Sequence, residues 1–359
     1  MINPSFWRGK RVYLTGHTGF KGSWLAIWLN KLGAIVKGYS LESPTNPNLY
    51  SIANLDELVE SEMGDICNLN QLKASIKSFL PDIVIHLAAQ SLVRYSYVEP
   101  IETFSVNAIG TANLLEACRD CQSIKAIVAI TTDKCYENNE NGLAFRENEP
   151  MGGHDPYSSS KGCAELIISS YRRSFFDLNE IGLASARAGN VIGGGDWADQ
   201  RLIPDTLRAF EKNEPVVIRN PNSIRPWQHV LEPLNGYLML AERIFENPMK
   251  FSEAWNFGPE QEGDREVSWI LNKMIEEWER QSWTSFNEEN KLHEASYLKL
   301  DISKAKKLLG WKPIWSLEYS ITRIVNWHKA WLNGENMLIH CEDEIEHFMS
   351  TNINYEKRR

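Results

Sequence analysis

The stretch RVYLTGHTGFKG, residues 11–22, decides the fold of this chain. Its first four residues predict a short strand. Residues 23–32 then have a helical pattern, and Gly33 is the predicted C-terminal cap of that helix. The turn between them uses Gly16 for a tight bend, Gly19 for close approach of a pyrophosphate, and Gly22 for packing of the helix on the strand. The helix N-terminus then faces the phosphates. The segment predicts a dinucleotide-binding turn, with a plain tight connection as the alternative.

The alternation of strand and helix continues to about residue 189. Predicted strands are residues 11–14, 35–39, a segment ending at 64–66, 83–89, 126–130 and 183–187, and residues 107–119 form an amphipathic helix. This order predicts an α/β fold with a doubly wound parallel sheet. We expect a dinucleotide-binding domain over residues 1–189, to which a segment near 228–260 returns. A smaller mixed α/β domain, mainly residues 190–359, is expected to bind the substrate.

The ends of the predicted strands supply candidate cofactor contacts. A carboxylate is expected after the second strand to bind the ribose 2′-hydroxyl of NAD, but the sequence there is Tyr39-Ser40-Leu41. The same segment contains no arginine that could bind the 2′-phosphate of NADP. The residues after the second strand therefore do not decide between NAD and NADP. Asp65 is a candidate acceptor for the adenine amino group, although aspartate is also common in turns and caps. His86, within an apolar run, is expected to be a core histidine.

Two clusters between residues 130 and 161 are candidates for the reacting groups. Thr132, Asp133 and Lys134 follow a buried strand directly. Tyr157 and Lys161 follow a predicted helix start and, being four residues apart, lie on one helix face. An ammonium beside a phenol lowers its pKa from about 10, so Tyr157 is a candidate base toward a substrate hydroxyl. An ordinary i,i+4 pair is the alternative.

The C-terminal half contains a basic and aromatic segment, residues 224–230, which we expect to be exposed. Arg219, Arg225 and His229 are candidates for binding a diphosphate, because guanidinium groups match phosphate oxygens bidentately. Ordinary surface arginines are the alternative for this segment.

Composition excludes several classes of protein. The 359-residue chain has a net charge of −9 and no basic stripe, so no nucleic-acid partner is expected. It has no signal pattern and no run of 18 apolar residues, so no membrane association is expected. Six cysteines are too few for a disulfide scaffold, and no metal site is predicted. These features favour a cytoplasmic location.

Taken together, the motifs resemble the extended short-chain dehydrogenase/reductase family. The matching residues are Thr15-Gly16, Gly19, Gly22, Asp65-Ile66, His86-Leu87-Ala88-Ala89, Asn107, Gly110-Thr111, Asn113 through Ala117, Tyr157 and Lys161. Within that family, Thr132-Asp133 resembles the sugar-nucleotide 4,6-dehydratases, most of which carry glutamate where this chain has Lys134. The stretches 15–22, 132–136, 190–197 and 225–229 are similar to those of members that act on CDP-D-glucose.

This resemblance implies a reaction with NAD as cofactor and CDP-D-glucose as substrate. The product would be CDP-4-dehydro-6-deoxy-D-glucose plus water, on the way to 3,6-dideoxyhexoses of the lipopolysaccharide O-antigen. Catalysis would use Tyr157 as base toward the C4 hydroxyl, Lys161 beside it, Thr132 at the C4 oxygen, Asp133 as acid and Lys134 as base. A salt bridge between Lys134 and Asp133 is the alternative. A homo-oligomer, a dimer or a tetramer, is also implied.

The resemblance also implies the residues that bind the two ligands. Those expected at the cofactor are Gly16, His17, Gly19, Phe20, Lys21, Gly22, Ser40, Asp65, Ile66, Leu87, Ala88, Ala89, Gln90, Asn107, Tyr157 and Lys161. Those expected at the substrate are Ser91, Arg94, Asn190, Arg201, Arg219, Arg225, His293 and Tyr297. Two other functions remain open: a sugar-nucleotide 4-epimerase, which needs no acid/base pair after Thr132, and a non-catalytic nucleotide-sensing protein.

Overall fold

The computed structural model describes residues 2–139, 142–177, 180–279, 282–285 and 297–357. A parallel sheet of seven strands forms its centre. Its strands are β1 (Arg11–Thr15), β2 (Ile35–Ser40), β3 (Glu60–Met63), β4 (Ile83–His86), β5 (Ala126–Ile130), β6 (Gly182–Ala188) and β11 (Ala254–Phe257). The short strands outside it are β7 (Val191–Ile192), β8 (Val216–Ile218), β9 (Ile224–Pro226), β10 (Gln228–His229), β12 (Asp264–Glu266) and β13 (Trp283–Ser285).

The strand order is β3-β2-β1-β4-β5-β6-β11, so the chain winds outward in both directions from β1. Thr15, the last residue of β1, lies opposite Tyr39 of β2 and His86 of β4. The crevice between β1 and β4 is therefore the point at which the strand order reverses, where open α/β sheets bind ligands. The predicted doubly wound sheet is confirmed, and β11 is the predicted segment that returns to it.

Helices cover both faces of the sheet. The helices are α1 (Pro4–Trp7), α2 (Phe20–Lys31), α3 (Leu49–Ile52), α4 (Leu69–Phe79), α5 (Val93–Val98), α6 (Pro100–Phe104), α7 (Gly110–Arg119), α8 (Pro156–Tyr171), α9 (Leu202–Glu211), α10 (Leu231–Glu246), α11 (Pro248–Phe251), α12 (Val267–Trp278), α13 (Leu317–Leu332) and α14 (Met337–Lys357). None of these helices is both long and apolar enough to cross a bilayer.

Successive side chains of a strand point to opposite faces of the sheet. Alternate residues therefore pack in two separate cores, one on each face. Val12 and Leu14 of β1 pack in the core beneath α2, α10 and α14, whereas Tyr13 packs in the core beneath α4, α7 and α8. A third cluster joins α9, β8, α12 and α13 outside the sheet. This third cluster is the smaller body that closes over the carboxyl edge of the sheet.

The segment 224–230 is the main departure from the predicted fold. Arg225, Trp227 and His229 are at most 5% exposed, because β9 and β10 pair with β12 and β7 and carry this segment inward. The His229 ring lies 4.9 Å from that of Trp315 and its Nε2 atom 3.2 Å from a carboxylate oxygen of Glu344. The prediction of an exposed segment is therefore wrong, and His229 is not available to a diphosphate.

Candidate active site

The turn after β1 is built so that only glycine fits at two positions. A Cβ atom on Gly22 would lie 2.0 Å from the Gly16 carbonyl oxygen, and one on Gly16, whose φ is +76°, would lie 2.7 Å from the backbone nitrogen of Ala88. Gly19 differs, since its Cβ would meet only the Gly16 oxygen, at 3.4 Å. Gly19 precedes α2 without a side-chain cap, which leaves the first N–H groups of a 12-residue helix for a ligand. This cradle fits a dinucleotide pyrophosphate.

Two side chains expected at the cofactor are turned to other partners. His17 is fully buried, its Nε2 atom lies 2.7 Å from the Ser61 hydroxyl, and burial lowers its pKa to about 4. The His17 imidazole is thus held inside the protein, and its contact with a cofactor stays a prediction. The Ser40 hydroxyl lies 2.8 Å from that of Thr18, at the end of β2 where a ribose acceptor was expected.

Asn107 and Gln90 order the loop after β4. The Asn107 side chain accepts from the Gln90 N–H and donates to the Gln90 carbonyl and the Ser160 hydroxyl. The Gln90 side chain donates to Thr103 and to the Leu92 carbonyl. The N–H groups of both amides donate within the protein, and the contacts of these side chains with the cofactor stay predictions. They shape the half-buried loop of residues 87–90.

The remaining cofactor candidates lie along the same sheet edge. The exposed Asp65 carboxylate accepts from the backbone N–H of Cys67, which is the turn role left open above. Ile66 is 5% exposed, and its side chain lies where a Cβ atom on Gly110 would be. His86 bonds Thr15 and Thr111 through its two ring nitrogens and is the core histidine expected.

A cavity of about 340 Å³ opens where this edge meets the smaller body. Most of the predicted reacting and substrate residues line it: Phe20, Lys21, Ser91, Arg94, Thr132, Asp133, Lys134, Tyr157, Asn190, Arg201, Arg219 and Arg225. Tyr297 is not among its lining residues, because its backbone pairs with Ile224 and its ring lies beside Lys299. His293 lies outside the described residues.

Tyr157 is delivered to the cavity by the start of α8. Asp155 caps this helix by accepting the Ser158 N–H, and the Ser96 hydroxyl accepts the Tyr157 N–H. Burial raises the pKa of Tyr157 to about 12. A hydrogen bond with Thr132 and the charge of Arg201 lower this pKa, but by less than burial raises it.

Lys161 does not have the predicted effect on this phenol. Burial lowers the pKa of Lys161 itself to about 8, and its Nζ atom donates to the Ile130 carbonyl at 3.4 Å. The prediction of a phenol made acidic by Lys161 is therefore not met, because burial outweighs the neighbouring charges.

Asp133 is a carboxyl group kept partly protonated. It is 2% exposed, and its Oδ2 atom has no hydrogen-bond partner among the described residues. Burial raises its pKa to about 6, although Lys134 and a hydrogen bond with Thr132 act in the opposite direction. Gly189 makes room for it, since a Cβ atom there would lie 2.4 Å from Oδ2. The raised pKa matches the acid role expected for Asp133.

Positive charge surrounds the reacting side chains. Arg201 joins the loops on either side of the cavity, with contacts of 3.0 Å to Asp196 and 2.8 Å to the Ser91 hydroxyl. Burial lowers the pKa of Lys21 to about 7, with the charges of Lys161 and Arg201 adding to the effect. The ion pair between Asp196 and Arg201 could not be predicted from residue patterns, since a spacing of five residues is ordinary in a loop.

Comparisons with known proteins agree with this arrangement. The family model described as GDP-mannose 4,6 dehydratase matches residues 14–324. A CDP-glucose 4,6-dehydratase of Salmonella typhimurium is 57% identical, over 98% of this chain and 99% of its own. The fold is similar to a UDP-glucose 4-epimerase of Thermotoga maritima, with TM-score 0.78 and 21% identity over 90% of this chain and 99% of the other. It is also similar to a dTDP-glucose 4,6-dehydratase of Bacillus anthracis in complex with NAD. The TM-score is 0.75 and the sequence identity 20%, over 92% of this chain and 100% of the other.

The burial of Asp133 predicts a pH-dependent effect on stability. Its pKa is about 6 in the folded chain and 3.8 ordinarily, so the folded state holds the proton more tightly. Stability is lost as pH rises from 4 through 6, by about 2–3 kcal/mol in all. Asp133→Asn should therefore raise the free energy of unfolding by about 2 kcal/mol at pH 8 and by little at pH 4. Urea unfolding at both pH values measures this, with the exposed Asp199→Asn as control; an equal effect at both pH values would contradict it.

Proposed function

Because the chain belongs to the GDP-mannose 4,6-dehydratase family, we infer that it is a CDP-glucose 4,6-dehydratase. It converts CDP-D-glucose to CDP-4-dehydro-6-deoxy-D-glucose and water. The observation that carries this conclusion is the 57% identity over nearly the full length of both chains. The gathering of Thr132, Asp133, Lys134 and Tyr157 around one cavity supports it. A 4-epimerase would share the fold but has no use for an acid and a base after Thr132.

The cofactor is NAD, which accepts hydride from sugar C4 and returns it at C6 when bound. The glycine cradle at Gly16, Gly19 and Gly22 is the proposed pyrophosphate site. The half-buried residues 87–89 and Phe20 line its approach, and Lys161 is proposed to hold the nicotinamide ribose. Leu41, and not an acid or an arginine, directly follows β2, so the choice of NAD follows from the family and not from Ser40.

Tyr157 and Thr132 are proposed to act on the C4 oxygen. Tyr157 takes the proton of the C4 hydroxyl, for which the phenol must first be ionised. Its raised pKa means that this ionisation depends on positive charge brought near it, and Arg201 already acts in that direction. The Thr132 hydroxyl, hydrogen-bonded to Tyr157, donates to the C4 oxygen as it becomes a ketone.

Asp133 and Lys134 are proposed to remove water across C5 and C6. The C4 ketone acidifies the C5 hydrogen, and the Lys134 amine takes that proton. Asp133 gives its proton to the C6 hydroxyl, which leaves as water. The pKa of about 6 keeps a fraction of Asp133 protonated near neutral pH, and its unbonded Oδ2 can carry that proton. Solvent or the acid then reprotonates C5.

The diphosphate is proposed to bind to arginine side chains that line the cavity. Arg219 and Arg225 line it together with Asn190, and both guanidinium groups suit phosphate oxygens. Arg94 and the Arg201–Ser91 pair also line the cavity, and the charge of Arg201 acts on Tyr157, so these residues are proposed to meet the sugar. Residues 190–359 are thus proposed as mainly the substrate domain, and residues 1–189 as the NAD domain.

The setting of the enzyme is proposed from the same relationships. All six cysteines are free, which supports a reducing, cytoplasmic location. The product is proposed to serve 3,6-dideoxyhexose synthesis for the lipopolysaccharide O-antigen, as the resemblance implies. A homo-oligomer is proposed through the helices outside β4 and β5. Exposed apolar side chains occur there on α5, α6, α8 and the turn before α7: Val98, Ile101, Leu166 and Ile109.

The reaction is tested by supplying different sugar nucleotides. CDP-glucose, dTDP-glucose, UDP-glucose and GDP-mannose are each incubated with the protein, with and without NAD. The 4-keto product is read from its absorbance in alkali, and we expect a signal with CDP-glucose. No signal with any donor rejects the dehydratase function, and a signal only with dTDP-glucose keeps the reaction but rejects the cytidine specificity.

Lys134→Ala should abolish dehydration yet leave transient reduction of bound NAD. The first half of the reaction uses Tyr157 and Thr132, which the substitution leaves in place. Stopped-flow absorbance at the NADH band measures the first step, and the alkaline absorbance measures the product. Lys134→Glu is the matched control, since it restores a base of the kind most related dehydratases carry, and it should recover part of the turnover. Full turnover by Lys134→Ala would contradict the role.

The proposed oligomer predicts a mass of at least two chains by light scattering after size-exclusion chromatography. Ile101→Glu together with Leu166→Glu should lower that mass, because two buried charges at an apolar contact are costly. Met249→Glu is the control, an equally exposed side chain on α11 at another edge. A monomeric wild-type chain would reject the oligomer.

A further inference from the structure

Glu165 is a buried carboxylate directly behind the reacting groups. It lies one helical turn after Lys161 on α8 and is 4% exposed. Three donors surround it: the Thr131 hydroxyl at 2.5 Å, the Ser185 hydroxyl at 2.8 Å and the Arg187 guanidinium at 2.6 Å. Burial opposes its ionisation, but Arg187 and the two hydroxyls outweigh this and lower the pKa of the carboxyl. The group is therefore a fixed negative charge.

Thr131 connects this charge to the strand end that carries Thr132. Its backbone N–H donates to the Ala186 carbonyl of β6 at 2.9 Å, and its side chain is held by Glu165. Two hydrogen bonds, one from the backbone and one from the side chain, thus hold the residue before Thr132. The next two residues are the proposed hydrogen-bond donor and acid, so a shift of Thr131 would move both.

Lys161 and Glu165 interact electrostatically. Residues four apart on a helix are neighbours, and the charge of Glu165 raises the pKa of Lys161 against the effect of burial. Other titratable groups near Lys161 supply no comparable negative charge: burial raises the pKa of the Cys135 thiol well above its ordinary range and lowers that of His86 to about 3. Lys21 from α2 adds positive charge, and Tyr157 is a neutral phenol.

We propose that Glu165 is a positioning residue of this dehydratase, which anchors Thr131 beneath Thr132 and keeps Lys161 in its ammonium form. This proposal deepens the function proposed above and rests on it. Arg187 and Ser185, on β6, hold the carboxylate in place, so Glu165 acts through its neighbours and not on the sugar.

Glu165 does not itself line the substrate cavity. It lines, with Arg187, a second cavity of about 630 Å³ between α8, β6 and β11. The lining residues of the two cavities do not overlap among the described part of the chain. The hydrogen bond from Thr131 to Glu165 joins one cavity wall to the other. A role in positioning therefore predicts loss of kcat with little change in KM.

The test compares Glu165→Gln with two matched variants. Glu165→Gln removes the charge but keeps the shape, Thr131→Val removes the hydrogen bond but keeps the charge, and Arg187→Lys loosens the buried pair but keeps both charges. For Glu165→Gln we expect the high-pH limb of kcat to move down by about one pH unit, since an ammonium without its counter-charge loses its proton more readily. We also expect kcat at pH 8 to fall about tenfold and KM for CDP-glucose to stay within about twofold.

The controls separate positioning from loss of stability. Arg187→Lys should lower Tm while its high-pH limb stays where the wild type has it, and Thr131→Val should lower kcat without moving the limb. The proposal is overturned if Glu165→Gln loses activity only in proportion to its Tm, with the limb unmoved.

A measurement that does not depend on enzymatic turnover tests the role of Glu165 independently of the proposed function. The pKa of Lys161 is read from the pH dependence of its acetylation by acetic anhydride, followed by mass spectrometry. It should fall in Glu165→Gln and not in Arg187→Lys. If it falls while wild type acts on no sugar nucleotide, the proposed reaction fails and the electrostatic role of Glu165 stands. If it does not fall, the role of Glu165 fails whatever the activity.

Discussion

The close approach of the turn after β1 to the loop after β4 is the constraint on which this molecule depends. Gly16 lies so near Ala88 that no side chain fits between them, and Gly22 lies nearer still to Gly16. This contact closes the crevice at the centre of the sheet and sets the start of α2. Every residue proposed to bind NAD or to react is placed relative to that crevice, because the strands are parallel and end along one edge.

Much of this could be predicted from residue patterns because the pattern is local. The glycine spacing, the strand before Thr132 and the four-residue spacing of Tyr157 and Lys161 each depend only on neighbours along the chain. The contacts that residue patterns did not predict depend on partners far apart in sequence. His17 is turned away by Ser61 and by the space that Gly38 leaves, and Asn107 is occupied by Gln90 and Ser160. Burial of residues 224–230 follows from pairing with β7 and β12.

Protonation was the hardest property to predict, since it depends on the balance of burial against several charges. The i,i+4 spacing gave the right pair of residues but the wrong direction for the pKa of Tyr157. The direction expected for Asp133 was right, because a carboxyl group beneath the Gly189 loop has little to solvate it. Cations from α2, α8 and the loop before α9 meet around these two groups. This positive charge favours ionisation of the Tyr157 phenol, against the effect of burial.

The short turn Asp133–Cys135 has an evolutionary consequence. The proposed acid and base occupy consecutive positions on a turn whose place is set by β5 and by anchors beneath it. Exchange of one of them changes the group that moves a proton, while the cofactor cradle and the arginines at the nucleotide stay as they were. Related enzymes could thus diverge in chemistry through single codon changes, without passing through an unstable ancestor.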